Sequence, residues 1–65
     1  MRIELNGDTL ATGCETLAAL VEERGFDADC VATALNGAFV PRGLRGQTPL
    51  AEGAKVEILS PMQGG

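Results

Sequence analysis

Histidine, tryptophan and tyrosine are absent from this 65-residue sequence, which has only two phenylalanines and two cysteines. Without histidine, and with Cys14 and Cys30 far apart rather than in a CxxC pair, there is no zinc-ligand pattern. A cysteine-held iron–sulfur cluster would need four thiolates. No nucleophile–base pair is apparent, and so small a domain has little room to enclose an active site. Basic residues are also few: Arg2, Arg24, Arg42, Arg45 and Lys55 are scattered, and the net charge is -4. No basic stripe exists to follow a phosphate backbone, so nucleic acid is not an expected partner. No apolar run approaches the length of a membrane span. Glu4 and Asn6 interrupt any signal-peptide core. The expected location is cytoplasmic, with thiols reduced. Cys14 and Cys30 read as small thiols, buried or half-buried; a disulfide between them is left open.

Forty-five per cent of the residues are hydrophobic, most of them Leu, Val, Ile and Ala. That is enough for an aliphatic core and too apolar for a disordered chain. Residues 1–65 read as one domain. At this size a core supplies about 3–5 kcal/mol net unless something staples it.

Arg2-Ile3-Glu4-Leu5 alternates as a half-buried strand does, with Ile3 and Leu5 inward. Asn6-Gly7 is a strong hairpin signal, and a second strand is expected over Thr9–Thr12. Thr16 reads as a helix N-cap, Leu17, Leu20 and Val21 follow at helical spacing, and Gly25 stands where a C-terminal glycine belongs. Cys30–Leu35, small or apolar on both faces, reads as a central strand bounded by Asn36-Gly37. Phe39-Val40 is a brief strand ended by Pro41. The stretch 42–49, with two glycines and a proline, reads as a loop that Leu50 anchors. In the last strand, Lys55–Ser60, Val56 and Ile58 point inward and Leu59 outward. The helix joins strands two and three, and the first and last strands are expected to pair in parallel at the sheet centre.

Beyond that strand stands Pro61-Met62-Gln63-Gly64-Gly65, with no charged side chain. Segment 61–65 is expected to be a flexible tail, and a Gly-Gly end can thread a channel that any Cβ would block. Its one functional group at the tip is the α-carboxylate of Gly65. A free carboxylate has a pKa of about 3.3–3.7, so it is ionised and inert until another enzyme activates it.

The hairpin, Thr16-Leu17 with Leu20-Val21, Ala34-Leu35-Asn36-Gly37, Val40-Pro41-Arg42, Thr48-Pro49-Leu50, Gly53, Val56-Glu57-Ile58 and Gly64-Gly65 resemble the ThiS family of thiamine-biosynthesis sulfur carriers. The resemblance runs over essentially the whole chain. It departs at Arg45, where the family often has an aromatic residue, at Ala54, often acidic, and at Met62, often valine. The resemblance implies an α+β, ubiquitin-like β-grasp fold: a mixed sheet of four to five strands packed on one helix. It also implies a role as protein cosubstrate. A ThiF-type enzyme, using ATP that this chain does not itself bind, would adenylate Gly65. A sulfur donor such as a cysteine desulfurase would convert it to a thiocarboxylate, and a ThiG-type thiazole synthase would receive the sulfur. Gly64, Gln63 and Met62 would line the partner's channel, while Leu59 and Arg42 would contact its surface. No metal or bound cofactor is expected. The same tail chemistry serves the molybdopterin synthase small subunit, and a Gly-Gly end also suits a ubiquitin-like protein modifier.

Overall fold

Alternation in Arg2-Ile3-Glu4-Leu5 buries Ile3 and Leu5 on one side of strand β1 (Arg2–Leu5) and leaves Glu4 on the other. The computed structural model of the protein describes residues 1–61. Asn6 and Gly7 take φ values of 51° and 88°, both positive, as a type I′ turn requires. The turn sends the chain back as β2 (Asp8–Ala11), antiparallel to β1 with Ile3 opposite Leu10. The second strand therefore starts and ends one residue earlier than the sequence suggests, because the two-residue turn sets the register from Asp8.

Helix α1 (Leu17–Glu23) starts at Thr16, whose hydroxyl accepts a hydrogen bond from the Ala19 amide. Leu17, Leu20 and Val21 form its buried stripe. At its end the Gly25 amide donates to the Glu22 carbonyl and the Phe26 amide to the Val21 carbonyl. That is a Schellman closure, made possible by the positive φ of 78° at Gly25, and it folds Phe26 onto the core.

The remaining strands are β3 (Ala32–Leu35), β4 (Ala38–Val40) and β5 (Lys55–Leu59). They complete a five-stranded mixed sheet of order β2-β1-β5-β3-β4, with β1 and β5 parallel and the other neighbours antiparallel. This is the β-grasp arrangement, with one helix against one face. Two expectations are corrected. The third strand begins at Ala32, not Cys30, because residues 28–30 form a turn after Asp27 and leave Cys30 exposed. The stretch expected to be a loop holds a 3-10 helix, Arg42–Gln47. Its tighter winding needs only i to i+3 bonds, such as the Leu44 amide on the Pro41 carbonyl, which short glycine-containing segments can make. Leu50 is buried, as its anchoring role requires.

Strand β5 is gripped on both flanks by asparagine side chains. Where β1 turns away, the Asn6 amide takes over: Nδ2 donates to the Ile58 carbonyl at 3.0 Å and Oδ1 accepts from the Ile58 amide at 2.9 Å. The parallel ladder thus gains one more rung. On the other flank Asn36 donates its backbone N–H to the Lys55 carbonyl, and its Oδ1 accepts from the Lys55 amide. Asn6→Ala forfeits two bonds and strains a left-handed residue, a combined cost of about 2–4 kcal/mol. Asn6→Gly relieves the strain alone and should lose about half of that. Urea midpoints compare the three chains; a glycine variant as stable as the parent would show that the amide rung contributes nothing.

Candidate functional site

The expected reactive group, Gly65, and its neighbours Met62, Gln63 and Gly64 lie outside the described residues. The structure does show what stands behind them. The strand that leads to this segment is β5, central in the sheet and paired along both edges. Ser60 and Pro61 follow directly from Leu59.

Strand alternation decides what faces outward beside that exit. Val56 and Ile58 are buried against the helix side, so Lys55, Glu57 and Leu59 point the other way. On β3, Ala32 stands opposite Leu59 and Ala34 opposite Glu57; on β4, Phe39 stands opposite Ala34. Two alanines therefore floor a shallow depression of about 110 Å³ between Phe39 and Leu59. Phe39 is 69% exposed and Leu59 63%. A phenylalanine and a leucine this bare, side by side across β3, make an apolar patch on the open sheet face. Leu59 stands where the sequence puts it. Phe39 was legible only as part of a short strand; its signal was the alternation with Val40, whose burial forces Phe39 outward.

Behind this face the segment 27–31, which feeds β3, is held from inside by Arg45. The guanidinium donates Nε to the Thr33 hydroxyl at 2.9 Å, Nη1 to the Ala28 carbonyl at 2.9 Å and Nη2 to the Val31 carbonyl at 2.6 Å. The Thr33 hydroxyl in turn donates to the Val40 carbonyl. Arg45 is 4% exposed, so it is a structural staple rather than one of several scattered surface cations. All three of its acceptors are neutral oxygens. No local pattern in Arg-Gly-Leu-Arg-Gly distinguishes Arg45 from Arg42.

Arg42 sits at the start of the 3-10 helix, exposed, in an ion pair with the equally exposed Asp29. A surface pair of this kind contributes about 0–1 kcal/mol. Arg42 and Arg45 border a groove of about 400 Å³ whose other walls include Val21, Glu22, Phe26 and Ala28.

Cys14 is half-buried against the core, as expected, whereas Cys30 is exposed. The Cys30 thiol donates to Asp27 Oδ2 at 3.3 Å, while Asp27 Oδ1 accepts from the Asp29 amide. The thiol's hydrogen bond to Asp27, and that carboxylate's charge, push the thiol above its ordinary pKa. The backbone bond from Asp29 and the thiol bond hold the Asp27 carboxyl below its own. Since the thiolate is the nucleophile, this pairing lowers the fraction of Cys30 in its reactive form. Among the described residues no group of three or more His, Cys, Asp or Glu side chains is placed to hold a metal ion, and no helix is long and apolar enough to cross a membrane.

Comparison with known proteins places this geometry. The family model described as the ThiS family matches residues 2–65. The crystal structure of a thiamine biosynthesis protein (ThiS) from Geobacter metallireducens superposes with a TM-score of 0.82 at 29% identity, covering all of both chains. A solution NMR structure of a thiamine biosynthesis protein from the same organism gives the same score and identity, with 88% of that chain covered. The search of curated proteins returned no match.

Proposed function

The chain belongs to the ThiS family, and from that premise we propose that it carries sulfur for thiamine biosynthesis as a protein cosubstrate and not as a catalyst. The observation that carries this reading is the family match itself, which extends through Gly64 and Gly65.

Activation is the chemical problem, since a carboxylate repels nucleophiles. A ThiF-type enzyme would supply it with ATP: a Gly65 carboxylate oxygen attacks the α-phosphorus, pyrophosphate leaves, and an acyl-adenylate forms. The terminal sulfur of a persulfide, generated by a donor such as a cysteine desulfurase, then attacks the acyl carbon and AMP departs. A thiol next cleaves the resulting acyl disulfide, being oxidised to a disulfide as the thiocarboxylate is released. A ThiG-type thiazole synthase accepts that sulfur, and hydrolysis returns the carboxylate. Gly64, Gln63 and Met62 would occupy the partner's channel. A side chain larger than hydrogen at Gly64 would widen the segment at its narrowest point.

The Phe39–Leu59 face would dock on the adenylating enzyme. It is apolar, it flanks the strand that leads to the reactive segment, and its alanine floor can receive a protruding aliphatic side chain. Arg42 would add an ionic contact only by exchanging Asp29 for a carboxylate on the partner.

Intact-protein mass spectrometry tests the proposal. Incubation with ATP, a ThiF-type enzyme and a persulfide source should give a mass gain equal to replacing one oxygen by sulfur, mapped to Gly65. A gain mapped to Cys14 or Cys30 instead, or none with a ThiF-type enzyme from the chain's own source, would overturn it.

A further inference from the structure

We infer that Asn36 is the chain's principal site of spontaneous deamidation, and that the fold shields Asn6, the other asparagine followed by glycine. The chemistry is intramolecular. The backbone nitrogen of the following glycine attacks the asparagine Cγ, the Cγ–Nδ2 bond breaks and ammonia leaves, giving a five-membered succinimide. Water then opens the ring at either carbonyl, leaving aspartate or isoaspartate. No oxidant or enzyme is needed. Glycine in the next position favours the attack because no side chain hinders its nitrogen.

Both sites have the same local chemistry. Each is Leu-Asn-Gly, and each is a type I′ turn, with φ of 51° and 88° at Asn6-Gly7 and 51° and 85° at Asn36-Gly37. Space is open at both glycines, where a Cβ would meet nothing within 4 Å. The difference lies in how the reacting amide is held.

Ring closure requires Cγ to swing back toward the glycine nitrogen. At Asn6 that motion breaks two bonds to one residue of the central strand, the donation from Nδ2 to the Ile58 carbonyl and the acceptance by Oδ1 from the Ile58 amide. The departing nitrogen is itself one of the held atoms. At Asn36 only Oδ1 is engaged, by the Lys55 amide at 2.9 Å, and among the described residues Nδ2 donates to none. Among the described residues nothing holds the leaving group, and the Lys55 amide draws electron density from the carbon to be attacked. One fewer bond to break corresponds to a rate difference of roughly fivefold in favour of Asn36.

The product matters to the fold. Isoaspartate routes the main chain through the side-chain carbon and lengthens the β3–β4 turn, which pairs Leu35 with Ala38 and presents Phe39. Deamidation at Asn36 would mark aged molecules at the turn that leads into the strand carrying Phe39, half of the apolar face.

Peptide mapping by mass spectrometry decides the matter. The full chain is incubated in mildly alkaline buffer at physiological temperature, both folded and in concentrated urea, and each site is followed in time. In the folded chain Asn36 should convert at least about fivefold faster than Asn6; in urea the two rates should agree within about twofold. Equal folded rates, a faster Asn6, or a gap that persists in urea would overturn the inference. Sulfur-carrier activity is not read by this experiment, so its failure and that of the proposed function are separate.

Discussion

Arg45→Ala is expected to leave most of the chain unfolded at room temperature. The substitution removes three hydrogen bonds from a charged donor and the packing of a long apolar stem. Bonds from a charged donor contribute about 1.5–3 kcal/mol each, so even with strong non-additivity the loss is roughly 3–5 kcal/mol. A domain of this length has about that much stability in total. The carbonyls left behind are the reason the cost is high: those of Ala28 and Val31 cannot leave with the side chain. Arg45→Met separates the causes. It keeps the volume and removes the desolvation cost of a buried charge, which by itself would favour the variant. The orphaned carbonyls should still make it about 2 kcal/mol less stable than the parent. Urea unfolding followed by circular dichroism gives all three values. A methionine variant as stable as the parent would mean that the staple contributes packing alone.

If that face docks on the adenylating enzyme, replacing both Phe39 and Leu59 by aspartate should cut adenylation, and the thiolation that follows it, at least about 100-fold at subsaturating carrier, with the fold intact. Both side chains are mostly exposed, so stability should change by no more than about 0.5 kcal/mol for each. Buried anchors at an interface are typically worth about 2 kcal/mol or more apiece, which is roughly 30-fold each, and an added carboxylate in an apolar contact costs further. On the proposed docking role the loss should appear as a raised KM, since a contact that serves binding alone leaves kcat unchanged. If the double variant is thiolated at the parental rate while its unfolding curve is unchanged, the partner docks elsewhere. The groove beside Arg42 and Arg45 is then the next surface to vary.

These two cases show opposite degrees of legibility. The outward placement of Leu59 is a parity argument: with Val56 and Ile58 inward, every second residue of β5 must face away. Phe39 follows by the same parity from Val40. The hairpin turns and the helix ends were equally open to reading, because their partners lie within five residues: Thr16 with Ala19, Phe26 with Val21. Arg45 offered no such signal. Its acceptors are 12, 14 and 17 residues away, on segments whose approach no local pattern announces. Cys30 misled for a related reason. The apolar run around it suits a strand, yet Asp27 captures the Asp29 amide and the Cys30 thiol and turns the chain before the strand can begin.

The sequence by itself therefore determined the two Asn-Gly turns, the helix caps, the facing of the first and last strands and the family, since each rests on neighbours in the chain or on residue order. Tertiary structure alone decided which polar side chains became struts. Asn6 and Ile58 are 52 residues apart, and Asn6 could serve as a rung for β5 only once the two strands lay side by side. A side chain's intrinsic preferences are local, whereas the partner it finds depends on chain closure, and that is settled only when the whole sheet has assembled.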